Sequence, residues 1–149
     1  MRTTVNSQLR IGTGFIKIMG IQWDDKYATG NDEIDSQHKQ IFAYLDDLEE
    51  HMKTGATQKW VENFMASLAI YTRTHFCYEE ICMRQAKCPV AAQNKEQHGK
   101  LLSAFTDSFE QFKREGVSDE LLVKLQKFLT SWLVNHIMKI DVHLQACIK

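Results

Sequence analysis

Apolar residues along the chain fall into four stripes with helical spacing. The first runs Ile34, His38, Ile41, Phe42, Leu45, Leu48 and Met52. Intervals of three and four place side chains on one face of an α-helix. Lys53-Thr54-Gly55 ends this helix, with Gly55 just beyond its last turn. Thr57 is placed to cap the second helix, whose stripe is Trp60 or Val61, Phe64, Leu68, Tyr71 or Thr72, His75, Glu79, and Cys82 or Met83. The stretch AKCP (Ala86–Pro89) stops it, and Pro89 suits the first turn of a third helix. That stripe is Val90, Asn94, His98, Leu101 or Leu102, Phe105, Phe109 and Phe112. REGVSD (Arg114–Asp119) separates it from a fourth, with Ser118 as N-cap and Asp119 and Glu120 well placed against the helix dipole. The fourth stripe is Leu121 or Leu122, Leu125, Phe128 or Leu129, Trp132, His136, then Val142 or His143. Neither glycine nor proline follows, so this helix is expected to run on through DVHLQACIK. Either the chain frays there or the helix continues into an output module.

Helices of about 20–30 residues are roughly 30–45 Å long. Their short connections make neighbours antiparallel, which predicts an all-α, up-down-up-down four-helix bundle. Residues 1–30 show little helical period and read as an N-terminal arm. Within it, TGND (Thr29–Asp32) forms a turn into a cap, and Trp23 is expected to pin the arm to the bundle. The expected organisation is one domain over 1–149, with the arm at 1–30 and the bundle at 31–149.

Composition narrows the function classes. The chain has 149 residues, a single proline and a net charge of −1 with both signs interspersed, which argues against a nucleic-acid surface. No apolar run reaches the ~18 residues of a membrane span. The apolar N-terminal stretch IGTGFIKIMGIQW is interrupted by Gly12, Gly14, Lys17 and Gly20 and lacks a cleavage site, so it is not read as a signal peptide. The expected compartment is the cytoplasm. Cys77, Cys82, Cys88 and Cys147 fit no zinc-site spacing. In a reducing cytosol they are expected to be small, mostly buried thiols. A redox role is the alternative, since Cys77 and Cys82 flank an HxxxE segment.

The polar residues on the apolar stripes carry the chemistry. His38 lies on the first helix, His75 and Glu79 on the second, Asn94 and His98 on the third, His136 and Asp141 on the fourth. His75 and Glu79, like Asn94 and His98, are four apart and so about 40° apart around the helix axis. His136 and Asp141 are five apart, about 140° around a continuous helix, which makes Asp141 the hardest member to bring in. One buried imidazole is ordinarily a satisfied core residue. Imidazoles from all four helices, with two carboxylates, require mutual hydrogen bonds, water or a metal. Imidazole with carboxylate suits iron, manganese or zinc, and two carboxylates among histidines suggest two ions bridged by Glu79 and Asp141. His51 and His143 are expected to be solvated.

These residues resemble the hemerythrin family, and specifically the bacterial hemerythrin-like domains. The matching segments are GNDEIDSQHKQIF (Gly30–Phe42), HFCYEEICM (His75–Met83), CPVAAQNKEQH (Cys88–His98) and WLVNHIMKID (Trp132–Asp141). The resemblance implies two iron ions with an oxo or hydroxo bridge, and dioxygen or a related small molecule as ligand. One iron takes His38 and His75. The other takes His98, His136 and, ordinarily, one further histidine; Glu79 and Asp141 span both. Trp132, Leu133 and Ile137 match the family's apolar wall around the gas pocket, a place they would also fill as plain core. One position departs: Asn94 stands where the family's third-helix HxxxH has its first histidine. An amide oxygen is a weaker ligand than imidazole, so that iron is expected to have an open or water-filled position, or to hold Asn94 weakly. This favours a sensor of oxygen or redox state over a carrier. Domains of this kind occur fused to signalling outputs such as diguanylate cyclases. The alternatives are a di-iron oxidase or peroxidase-type enzyme, an oxygen- or iron-storage protein, and a metal-free interaction bundle. The domain itself is read as no enzyme.

Overall fold

The structure, a computed structural model of the chain, describes residues 7–11, 14–18 and 20–148. Four long helices form the body: α1 (Asp32–Thr54), α2 (Gln58–Gln85), α3 (Ala91–Glu115) and α4 (Asp119–Lys139). They pack as an antiparallel bundle in which α2 lies beside α1 and α3, and α4 closes the ring against α1 and α3. The expected caps are in place. Thr57 and Ser118 accept from the backbone N–H groups of Trp60 and Leu121, and Gly55 follows α1 with a φ of 103°. Asn31 caps α1 by accepting from Ile34 N. Thr29, fully buried, donates both its N–H and its hydroxyl to Asp35 Oδ1 at 2.8 Å. Trp23 packs on Tyr27 and Phe42 and fastens the arm to α1 as expected.

The arm also contains an antiparallel hairpin, β1 (Ser7–Ile11) and β2 (Gly14–Ile18), with Ser7 opposite Ile18 and Ile11 opposite Gly14. The sequence reading placed no strands there. Residues 1–6, 12, 13 and 19 of the arm lie outside the described residues. Pro89 falls in the turn ahead of α3, which starts two residues later at Ala91, and so is not in the helix's first turn. That turn closes α2 with Lys87 in the left-handed region (φ 53°). Cys88 N–H reaches back to Met83 O at 2.9 Å, the closing bond of a Schellman motif.

The fourth helix does not continue to the end of the chain. It stops at Lys139, where Ile140 turns out of the helical path (φ −119°, ψ −61°). A 3-10 turn at Asp141–His143 and a one-turn helix α5 (Leu144–Cys147) follow. The main core is built from the four stripes, with Leu48, Val61, Met65 and Ile137 fully buried. A second, smaller cluster of Ile34, Met83, Cys88, Ile140 and Leu144 seals the end of the bundle that carries the break.

The cysteines also depart from expectation. Cys88 and Cys147 form a disulfide, with Cα atoms 5.5 Å apart. The two remaining thiols are not buried: Cys77 is exposed and Cys82 half-buried. Segments 59 residues apart in sequence are brought together here by the packing of α5 on the α2–α3 turn, which no local spacing reveals. Among the described residues, no helix is long and apolar enough to cross a membrane.

Candidate metal centre

The stripe positions carrying His38, His75, Glu79, Asn94, His98 and His136 meet at one level of the bundle, each residue almost completely buried. Asp141 joins them because the chain breaks at Ile140. A continuous helix would have turned its carboxylate away, whereas the 3-10 turn directs it inward, 1% exposed.

The imidazole Nε2 atoms face the carboxylates in two groups. His38 Nε2 lies 3.4 Å from Glu79 Oε2 and 3.1 Å from Asp141 Oδ2, and His75 Nε2 lies 3.7 Å from Glu79 Oε2. On the other side His98 Nε2 lies 3.2 Å from Glu79 Oε1, and His136 Nε2 lies 3.0 Å from Asp141 Oδ1. Each carboxylate therefore gives one oxygen to the His38–His75 side and the other to the His98–His136 side. Asn94 belongs to the second side, its Oδ1 2.8 Å from His136 Nε2.

Three residues that the sequence reading missed orient these rings. His75 Nδ1 meets Gln37 Oε1 at 2.7 Å, His98 Nδ1 meets Glu80 Oε1 at 2.9 Å, and His136 Nδ1 meets Gln97 Oε1 at 3.0 Å. Each Nδ1–H donates outward, which leaves Nε2 free to face the centre. Their sequence signal is faint. Gln37 and Gln97 immediately precede His38 and His98, and Glu80 follows Glu79. One residue off that buried face is about 100° around the helix, so each reaches the histidine of the next helix. Two ring planes are fixed further by stacking, Phe76 on His98 at 3.6 Å and Trp132 on His136 at 4.4 Å between centroids.

The electrostatics of these side chains are polarised. Burial disfavours a charge on His38, but the carboxylates of Asp141 and Glu79, 3.1 and 3.4 Å from its Nε2, overcome it and raise its pKa to about 9. Burial dominates at His75 and lowers its pKa to about 3. At Asp141 burial acts upward, yet the close imidazoles of His136 and His38 hold the carboxyl well below its usual range.

Both oxygens of Glu79, Asp141 Oδ1, Asn94 Nδ2 and His38 Nδ1 are buried without a hydrogen-bond partner. Orphaned carboxylate oxygens cost several kcal/mol unless a cation completes them. Two overlapping sets of side chains have ligand atoms close enough to hold an ion: Glu79, His98, His136 and Asp141, and His38, His75 and Glu79. Nitrogen and oxygen donors in this mixture suit a first-row transition metal.

Beside the centre lies a cavity of about 40 Å³. Its walls are mostly apolar, including Ile41, Leu45, Phe105, Trp132 and Leu133, and the Thr72 side chain joins the imidazoles of His38 and His75 in its lining. This volume admits a guest of two or three heavy atoms. Trp132 and Leu133 both line this cavity. Ile137, one turn further along α4, is not part of the lining; it packs with zero exposure in the main core. His143 is exposed. His51 is only partly solvated, 33% exposed, and stacks on Trp60 at 3.8 Å.

Comparison with known proteins agrees with this geometry. The family described as hemerythrin HHE cation binding domain matches residues 29–148. A bacteriohemerythrin of Stenotrophomonas maltophilia is 32% identical over 117 residues, covering 77% of this chain and 72% of that one. A hemerythrin-like protein of Naegleria gruberi is 26% identical over 120 residues, covering 80% and 87%. A wild-type hemerythrin crystal structure superposes with a TM-score of 0.75 at 27% identity, covering 86% of this chain and 97% of that one.

Proposed function

The chain belongs to the hemerythrin family, and on that footing we propose that it is a single non-haem di-iron domain that binds or reacts with dioxygen and senses oxygen or redox state. The observation that carries the sensor reading is Asn94. It is fully buried at the position of a family ligand histidine, and it offers an amide oxygen where an imidazole would stand. In this reading His38 and His75 would hold one ion and His98 and His136 the other, with Glu79 and Asp141 available to both. Bound iron would supply the electrons that dioxygen takes up.

The chain's own residues do the rest. Gln37, Glu80 and Gln97 keep three Nε2 atoms aimed inward. The apolar cavity walls limit water, so the gas competes with little else for the space. Thr72 brings a hydroxyl to that lining and is placed to orient a small polar guest. With one imidazole fewer, the residues on the Asn94 side would shield a bound ion less from oxidation, which suits a sensor better than a reversible store.

In the cytoplasm, where we place this protein, disulfides are characteristically transient and redox-responsive, so the Cys88–Cys147 pair supports the same reading. Control of a fused signalling output rests on the family resemblance alone, because the helix expected to lead into it ends at Lys139. An oxidase of the ferritin-like kind is disfavoured by the absence of any Glu-x-x-His segment.

The test is Asn94→His. Anaerobically reduced protein is mixed with air, and optical spectra follow the approach to the diferric state. Wild type should oxidise at least several-fold faster than the variant, in which an oxygen adduct should persist. Equal rates remove the basis for preferring a sensor over a carrier.

A further inference from the structure

The outer hydrogen bonds of the centre are not equivalent. His75 and His136 donate to neutral amides, Gln37 and Gln97, whereas His98 donates to the carboxylate of Glu80 at 2.9 Å. Glu80 is 24% exposed, so its carboxylate lies at the edge of the bundle and reaches inward to His98. Gln37 passes its own hydrogen bond on to Glu33 at 2.9 Å, so an amide separates His75 from the nearest outer carboxylate. His38 Nδ1 has no partner among the described residues. Among the described residues, the one direct carboxylate–imidazole pair on the outer side therefore falls on the side where Asn94 stands in place of an imidazole. A carboxylate that accepts from Nδ1–H makes Nε2 a stronger donor to a metal.

We propose that Glu80 is a positioning residue that strengthens His98 as a ligand and so secures the second metal ion on the side weakened by Asn94. The inference rests on the metal-centre reading above and adds to it a division of labour among the outer partners. Phe76, stacked on His98 with ring planes 3° apart, holds the ring in the plane that Glu80 selects.

The test uses Zn(II) as probe in competition with a chromophoric chelator, on full-length protein freed of metal. Wild type should bind two ions per chain. Glu80→Gln keeps the size and the hydrogen-bond acceptor but removes the charge. It should leave one ion's affinity unchanged and weaken the other by about 10-fold or more, the usual effect of losing an outer partner. Moving the charge to the other imidazole on the same side, E80Q/Q97E, should restore that affinity to within about threefold of wild type. Moving it to the opposite side, E80Q/Q37E/E33Q, which preserves the bond between positions 33 and 37 in mirror image, should not. Nitrogen-15 spectra of the zinc protein should show the His98 ring shifted by Glu80→Gln and the His75 ring unmoved. Two ions with unchanged affinities in Glu80→Gln overturn the proposal alone, as does equal rescue from either side. Fewer than two ions in wild type overturn it together with the metal-centre reading.

Discussion

Breaking the Cys88–Cys147 link is a perturbation whose size follows from the structure. The cysteines are 59 residues apart in sequence, and the bond closes everything from the α2–α3 turn to α5 into one loop. In the chain-entropy picture a loop of this length removes about 14 cal/mol/K from the unfolded ensemble, or about 4 kcal/mol at 25 °C. Unfolding entropy scales as roughly 2.1 cal/mol/K per residue, or about 310 cal/mol/K here, so the melting temperature should fall by up to about 13 °C. Native-state relaxation usually lowers the yield, so we expect a drop of about 6–13 °C. The assay is calorimetry of metal-free protein, oxidised and then reduced, with Cys147→Ser as a control that reductant should not move further. Asp141 lies just ahead of α5, so the reduced protein should also lose metal to a chelator faster than the oxidised protein. Melting temperatures within 2 °C of each other would refute the reasoning. So would alkylation of all four cysteines in unreduced, denatured protein, where only Cys77 and Cys82 should react.

Further outcomes follow from the same geometry. Metal-free protein should be most stable near pH 6.5. His38, raised to about 9, contributes stability that is complete below 6.5 and lost as pH rises through 9, and His75, lowered to about 3, contributes stability present above 6.5 and lost as pH falls toward 3; denaturant midpoints from pH 4 to 10 that rise steadily in one direction would contradict this. At pH 7 metal binding should expel the His38 proton, which calorimetry in buffers of different ionisation heat would detect as heat that scales with the buffer. Leu133→Ala should cost about 2–5 kcal/mol of stability and enlarge the cavity beside His38 and His75; a ferrous protein that oxidises no faster in this variant would mean that the cavity is not the route of entry.

How much of this was legible in the sequence can be judged residue by residue. The stripes through Leu45, Leu68, Phe105 and Leu125 announce the bundle because burial on one helical face imposes a period that survives every detail of packing. The buried polar cluster was legible for the same reason, since polar residues on such a face must be paired or hold something. Asp141 was the doubtful member. It was doubtful because helix geometry turns it away, and only the break at Ile140, which no glycine or proline marks, brings it round. Gln37, Glu80 and Gln97 were missed because a glutamine or glutamate beside a ligand looks like ordinary surface. Their role exists only once neighbouring helices have a defined rotation. Gln126 and Glu49, a buried pair joined at 2.8 Å between α4 and α1, escaped for the same reason. The disulfide depends on tertiary folding throughout.

The break at Ile140 has a thermodynamic consequence. Asp141 reaches both groups of imidazoles, yet it sits on the short segment beyond α4 and not on a long helix. That segment is held by Ile140 and Leu144 in the small core cluster, by Gln145 donating to Ala28 O at 3.0 Å, and by the disulfide. Short segments with few anchors open more readily than long packed helices. A metal that takes both oxygens of Asp141 adds an anchor, and each anchor makes the next less costly to hold. Linkage is reciprocal: by whatever factor the disulfide tightens metal binding, the metal must favour the disulfide by the same factor. The metal centre and the thiol pair are then two inputs to one docking equilibrium. Measuring the Zn(II) affinity ratio between oxidised and reduced protein fixes that coupling, and the shift in the disulfide's reduction potential on adding Zn(II) must equal it.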